Sequence, residues 1–229
     1  MNSLTVGVIL SGSGVYDGTE IHEATLTLLA LDQLNVNIGF ISVDKPQHHV
    51  IDHSNQSELT GDTRNVLTES ARISRGPVTN INDITIESFD ALIFPGGFGV
   101  AKNLCTFAVD GASHTIDSSI AALVKTAHQL KIPMGFLCIS PVIPAALIPN
   151  VKLTIGTDTD TANAIVAMGA EHVISTVNDV VVDEQHLIAS TPAYMLATRI
   201  SELNIGINAL VNQVFNWANE RNLAHSSVK

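Results

Sequence analysis

A chain of 229 residues suits one large domain, and at 45% hydrophobic and 14% charged it carries enough apolar mass to bury a substantial core rather than remain disordered. Its formal net charge of −11, from 22 acidic and 11 basic residues with no basic run, argues against nucleic acid and anionic membrane surfaces as partners. Apolar stretches fall short of the roughly 18 residues of a transmembrane helix, Met1-Asn2-Ser3 lacks the positive segment of a secretory signal, and two cysteines make no disulfide framework, so a cytoplasmic protein is expected.

The run Leu4 to Leu10 is short, apolar and β-branched, and Ser11-Gly12-Ser13-Gly14 ends it, as for a buried central strand. Helical spacing follows from Asp17 to Leu34, with Asp17, Glu20 and Glu23 crowding its first turns where the helix dipole favours acids. Val36 to Val43 reads as a second strand, which gives the β-α-β order of a parallel sheet. The stretch from Pro46 to Asn82 is more polar. His48 to His53 suggests a short hairpin arm there, and Thr63 to Ile73 a helix closed by Gly76-Pro77.

Phe89 to Phe94 reads as a third strand, stopped by Pro95-Gly96-Gly97-Phe98-Gly99. Ser113 to Leu130 is helical and Pro133 to Cys138 is a fourth strand, with a Pro-punctuated helical pattern straight after it. Leu153 to Ile155 is a short strand before a helix from Asp158 to Met168. Val173 to Val182 and His186 to Ser190 are strand-like around an acidic turn, and Tyr194 to Asn219 closes the chain as a helix with one apolar face. The expected fold is α/β: a doubly wound, mostly parallel sheet in one domain over residues 1–229.

Cys138 stands where a strand gives way to a helix, which is where α/β proteins place nucleophiles, and a neighbouring helix N-terminus favours the thiolate. The bland alternative is a small buried hydrophobe. Cys105, in a mixed stretch without a base nearby in sequence, fits that alternative better. Gly96 and Gly97 allow backbone N–H groups to turn toward a ligand as an oxyanion hole, with Lys102 and Asn103 close behind to add polar groups. Gly12-Ser13-Gly14 lacks the third glycine of a dinucleotide loop and faces Asp17, Glu20 and Glu23, so no nucleotide cofactor is expected there. The clustered His48, His49 and His53 lack metal-ligand helical spacing, and neither Ser13 nor Ser140 fits G-x-S-x-G, so neither a metal site nor a serine hydrolase is expected.

Five segments together carry a family resemblance. They are Ser11 to Glu23, Pro95 to Leu104, Gly135 to Pro141, Leu153 to Asp158 and Thr191 to Ala197. The chain resembles, over essentially its whole length, the ElbB (enhancing lycopene biosynthesis protein) family of the ThiJ/PfpI superfamily, whose fold is that of class I glutamine amidotransferase domains. The resemblance implies a flavodoxin-like sandwich with Cys138 on a strained nucleophile elbow. It implies an acid from the first helix beside the thiol, assigned to Glu23 over Glu20 because the apolar spacing after Glu23 fits better. It implies an oxyanion site at Gly96, Gly97 and Ile139, no cofactor, and slow glyoxalase chemistry on a small dicarbonyl, glyoxal giving glycolate, with a link to isoprenoid biosynthesis.

A homodimer is also implied, consistent with the low charge content. The alternative is a cysteine-based oxidation sensor or an accessory protein without significant catalysis. One departure from the superfamily matters: Ile139, not histidine, follows Cys138, and Gly156 and Thr157 fill the later position, so a Cys-His amidotransferase or protease pair is not expected. His22 and His172 are the candidates to approach from elsewhere.

Overall fold

The computed structural model describes residues 3–226. β1 (Thr5–Ile9), α1 (Ile21–Gln33) and β2 (Asn37–Ser42) form the first β-α-β unit, with β1 and β2 parallel and Gly7 opposite Gly39. The two facing glycines make room for one aromatic ring. A Cβ on Gly39 would stand 2.6 Å from Phe89 Cε1, and one on Gly7 would stand 3.2 Å from Phe89 Cδ1.

β3 (Ile51–Asp52) and β4 (Ser57–Glu58) make the expected hairpin arm. Then follow α2 (Val66–Ser74), capped by Asn65, and β5 (Thr79–Asn80). β6 (Ala91–Phe94), α3 (Phe107–Asp110), α4 (Ser118–Gln129), β7 (Met134–Leu137) and α5 (Val142–Leu147) carry the chain through the middle of the molecule. β8 (Lys152–Leu153), α6 (Thr159–Ala167) and β9 (Glu171–His172) make a small annex, and β10 (Val181–Asp183), β11 (Ile188–Thr191) and α7 (Ile200–Ser226) complete the chain.

Seven strands form one sheet in the order β10-β11-β7-β6-β1-β2-β5, parallel except for the antiparallel β10–β11 pair at one edge. Side chains alternate between its two faces, as the period of two requires. Val6, Val8, Ala91, Ile93 and Leu137 face α1 and α7, against Ala24, Leu31, Leu203, Ile207 and Leu210. Ile9, Leu92, Phe94, Met134 and Phe136 face the other way, against Ile120 and Val124 of α4, Val142 and Ile143 of α5, and Ile165 of α6. This is the flavodoxin-like, class I glutamine amidotransferase-like architecture expected from the sequence.

Several boundaries differ from the expected ones, and each has a local cause. The first helix starts at Ile21 rather than Asp17 because Glu20 is extended (φ −64°, ψ 121°) and its carboxylate accepts the Glu23 N–H as an N-cap. Asp17 lies instead in the preceding loop, buried, where its Oδ2 accepts the Ile51 N–H at 2.8 Å. The strand expected from Val173 to Val182 shortens to the end of that run. Asp179 accepts the Thr176 N–H at 2.7 Å and returns its own N–H to the Thr176 carbonyl at 3.1 Å, which closes a turn in the middle of the run. The last helix starts at Ile200, because residues 192–197 are taken up by a tight turn with Ala193 at φ +48°. Among the described residues no helix is long and apolar enough to cross a membrane.

Phe94 and Phe136 are opposite one another on β6 and β7, both fully buried, with ring centroids 4.7 Å apart and planes 16° from parallel. Phe136→Ala should cost about 3–5 kcal/mol of unfolding free energy. Urea denaturation measures it, and a loss under about 1 kcal/mol would contradict the packing described.

Candidate active site

β7 ends at Leu137, and the chain turns at Cys138 with φ +59°, a left-handed conformation that non-glycine residues adopt at a cost of about 1–3 kcal/mol. Two sets of bonds hold it. The Cys138 N–H donates to the Thr191 carbonyl at 3.0 Å, which ties the elbow to the end of β11. The buried Ser140 Oγ accepts the Leu137 N–H at 2.8 Å and lies 2.9 Å from the Phe94 carbonyl, its acceptor at the end of β6. The elbow therefore sits at the carboxyl end of two central parallel strands, where the sequence placed it.

Glu23, on the first turn of α1, is fully buried and reaches the thiol. Its Oε2 accepts the Gly96 N–H at 2.8 Å and its Oε1 accepts the Tyr194 N–H at 3.2 Å. The approach requires a glycine: a Cβ on Gly96 would lie 2.5 Å from Cys138 Cβ and 2.8 Å from Glu23 Oε2. Burial, reinforced by the neighbouring Glu20 charge, raises the Glu23 carboxyl to about 7. Burial also raises the Cys138 thiol well above the ordinary thiol range, and the Glu23 charge adds to it. The Gly97 and Ile139 N–H groups pull the other way. The thiolate expected from a nearby helix start is thus outweighed by desolvation and an adjacent carboxylate, and the pair is built to share a proton.

Cys138 is only 8% exposed and opens to solvent through a cleft of about 380 Å³. Val15, Phe98, Ala101, Phe107, Ala108, Ile139 and Met195 give it an apolar wall, and Glu20, Thr161 and Tyr194 supply polar groups. Gly97 lines it too, at φ +99°, where an added Cβ would collide with the Glu20 N and the Gly18 carbonyl. Gly96 and Gly97 divide the roles the sequence gave them jointly: the Gly96 N–H is bonded to Glu23, and the Gly97 N–H acts on the thiol with that of Ile139. Sequence reasoning missed Glu20 as a wall of the cleft and gave Tyr194, although it lies in the family segment Thr191 to Ala197, no role in the site. Glu20 was visible as an acid three residues from Glu23, whereas Tyr194 reaches the site from the far end of β11.

Lys102 and Asn103 are not brought to the cleft. The Lys102 ammonium bonds the Tyr16 carbonyl at 2.8 Å and lies 5.3 Å from the centre of the Phe98 ring. Asn103, buried, donates from Nδ2 to the Ser11 and Asp17 carbonyls, both at 2.9 Å, and accepts the His48 N–H at 2.9 Å. It clamps the first loop. Among the described residues no histidine lines the cleft. His22 stands beside it, its Nδ1 2.7 Å from the Tyr194 hydroxyl, and His172 lies in the annex, accepting the Ile155 N–H at 3.3 Å. Cys105 is buried and bonded to the Val100 carbonyl, and burial pushes its thiol up to about 11. Among the described residues no group of three or more His, Cys, Asp and Glu is arranged to hold a metal ion.

A cysteine elbow facing a helix-borne glutamate, on this sheet, places the chain among proteins of the class I glutamine amidotransferase-like fold. Drosophila melanogaster DJ-1beta shares the fold, with a TM-score of 0.54 at 15% identity over 96% of this chain and 97% of its own. A human protein named glutamine amidotransferase-like class 1 domain-containing protein 3, mitochondrial, is 42% identical over 218 residues, 91% of this chain and 81% of its own length. The zebrafish ES1 protein, mitochondrial, is 32% identical over 209 residues, 84% of this chain and 77% of its own length. A crystal structure of an isoprenoid biosynthesis protein with amidotransferase-like domain from Ehrlichia chaffeensis superposes with a TM-score of 0.87 at 38% identity, covering 94% of this chain and 99% of that one. No family model matches the chain. The chain belongs to the glutamine amidotransferase-like class 1 domain (ES1) family. The cytoplasmic location expected from the sequence is corrected by these relatives, since the human, rat and zebrafish proteins are all named mitochondrial.

The raised Glu23 carboxyl has a consequence for stability. The folded protein holds this proton more tightly than the unfolded chain, so the contribution is fully present below the ordinary value of 4.5 and is lost as pH rises through about 7. Thermal unfolding across that range should show the melting temperature of the wild type falling relative to that of Glu23→Gln, and parallel curves would refute the shift.

Proposed function

We propose that the chain is a cofactor-independent enzyme that converts glyoxal to glycolate, with Cys138 as nucleophile and Glu23 as acid and base. The observation that carries this reading is the buried Cys138–Glu23 pair at the base of a cleft without a histidine. The thiol is neutral at rest, so the Glu23 carboxylate takes its proton as the sulfur attacks one aldehyde carbon. A C–S bond forms, the carbonyl π-pair moves to oxygen, and the Gly97 and Ile139 N–H groups are at hand for the developing charge. The Glu23 proton then neutralises that oxygen to give a hemithioacetal.

Glu23 next removes the C–H proton of the attacked carbon and returns it to the neighbouring carbon through an enediol, which leaves a thioester. Water cleaves the thioester, releasing glycolate and restoring the thiol. The hydride-equivalent shift is internal, so one molecule of glyoxal and one of water balance one of glycolate without an external oxidant.

Without an imidazole to relay protons, turnover is expected to be slow. Glutamine amidotransfer is disfavoured on the same ground, since the Cys-His pair that it uses has no counterpart at the cleft. The oxidation-sensor alternative needs a thiol with a lowered pKa, and burial together with the Glu23 charge acts in the opposite direction. The isoprenoid setting named for the Ehrlichia chaffeensis structure is carried over as the metabolic context of this proposal.

Purified protein should turn over glyoxal, with kcat/KM rising as pH passes through about 7, where Glu23 becomes the carboxylate. Cys138→Ser should abolish turnover, and Glu23→Gln should lower it by about 10²–10⁴-fold and remove that rise. Glyoxal turnover that is the same in wild type and both variants would exclude the mechanism.

A further inference from the structure

Among the twelve residues that line the cleft, Glu20 is the acidic one; burial raises its carboxyl, and the Glu23 N–H and the His22 charge pull it back. It is held in place from two directions. Its carboxylate caps α1 by accepting the Glu23 N–H at 2.7 Å, and its own N–H donates to the Gly96 carbonyl at 2.9 Å. It is 8% exposed, and the surface it keeps opens into the apolar space in front of the thiol.

Neither nearby cation turns its charge into the cleft. The Lys102 ammonium is turned to the Tyr16 carbonyl, and His22, whose charge acts on Glu20, is bonded to the Tyr194 hydroxyl. Glu23 stands behind the thiol as a second carboxyl group. A ligand carboxylate placed against Cys138 would therefore meet one or two like charges in a partly desolvated, apolar cleft, with no guanidinium or ammonium to pair with.

On the reading of Cys138 as the reactive group, we infer that Glu20 is a specificity-determining residue that makes the cleft anion-excluding, so that its ligands are uncharged carbonyl compounds and not 2-oxo acids or amino acids with a free α-carboxylate. An acid fixed in the wall rejects an anion by repulsion, whereas an apolar wall alone does so only by withholding solvation. The same geometry gives a physical reason for the chain to be a poor glutaminase: the substrate's α-carboxylate has no partner in the cleft.

Two alkylating probes of nearly the same size separate charge from chemistry, and neither depends on turnover. Iodoacetamide is neutral and iodoacetate is an anion. In both, the Cys138 sulfur forms a bond to the CH2 carbon, iodide leaves, and the thiol proton passes to Glu23 or solvent. Rates at Cys138 are read by peptide mass mapping at about pH 8, which also distinguishes the deeply buried Cys105, and each is divided by the rate of the same reagent with a small free thiol.

The wild type should discriminate against iodoacetate by about tenfold or more in the normalised ratio, and Glu20→Gln, which keeps the capping oxygen, should bring that ratio close to unity. Equal normalised rates in the wild type, or a ratio unchanged by Glu20→Gln, would overturn the inference. So would failure of both reagents to modify Cys138. If the discrimination is found but glyoxal is not turned over, the charge selection stands and the proposed reaction falls. If glyoxal is turned over without discrimination, the reverse holds.

Discussion

A carboxylate buried in the middle of an apolar sandwich is costly unless every lone pair that can be satisfied is satisfied. Glu23 meets that condition with two backbone donors from opposite sides of the site, Gly96 at the end of β6 and Tyr194 past the end of β11, and with the thiol between them. Each of those donors is where it is because something else gives way. Gly96 carries no side chain, so that β6 can end against Cys138, and the chain beyond β11 makes a left-handed turn at Ala193 to present the Tyr194 N–H. The elbow at Cys138 bonds the Thr191 carbonyl three residues before Tyr194. Glu23, Cys138 and the backbone donors are thus one hydrogen-bonded unit assembled at the carboxyl ends of three neighbouring parallel strands.

A second constraint acts on the pair itself, since no histidine is among the described residues that line the cleft. A buried thiol next to a buried carboxyl cannot hold two negative charges at short range, so proton sharing sets the reactivity of both. The neighbouring Glu20 enters this balance twice. It raises Glu23 through space and it faces the cleft itself. The N-cap residue therefore acts on the carboxyl beside the thiol and lines the space in front of it.

The fold was legible because its signals are periodic and local: apolar runs at Leu4, Phe89 and Pro133, each stopped by glycine or a turn, define the central parallel strands. Cys138 and Glu23 were legible for the same reason, one at a strand-to-helix junction and the other in an acid-rich first turn. Choosing Glu23 over Glu20 took the family resemblance together with the apolar spacing after each acid. The structure shows why spacing is ambiguous there: the helix begins at Ile21, so that one acid caps it and the other points inward from its first turn.

Lys102 and Asn103 were read as cleft residues because they follow the glycine turn closely. The chain from Val100 to Leu104 coils wide, though, and carries them toward the loop after β1. Tyr194 and Phe107 were out of reach because nothing local distinguishes a residue that closes a cleft across the sheet from one that packs beneath it.

The buried Asn103 amide joins the carbonyls of Ser11 and Asp17 to the segment that follows β6, so the two glycine-bearing loops that wall the cleft are stapled into one body. Those two walls cannot separate independently, so the space between them is set before anything enters it and draws little on reorganisation of these loops.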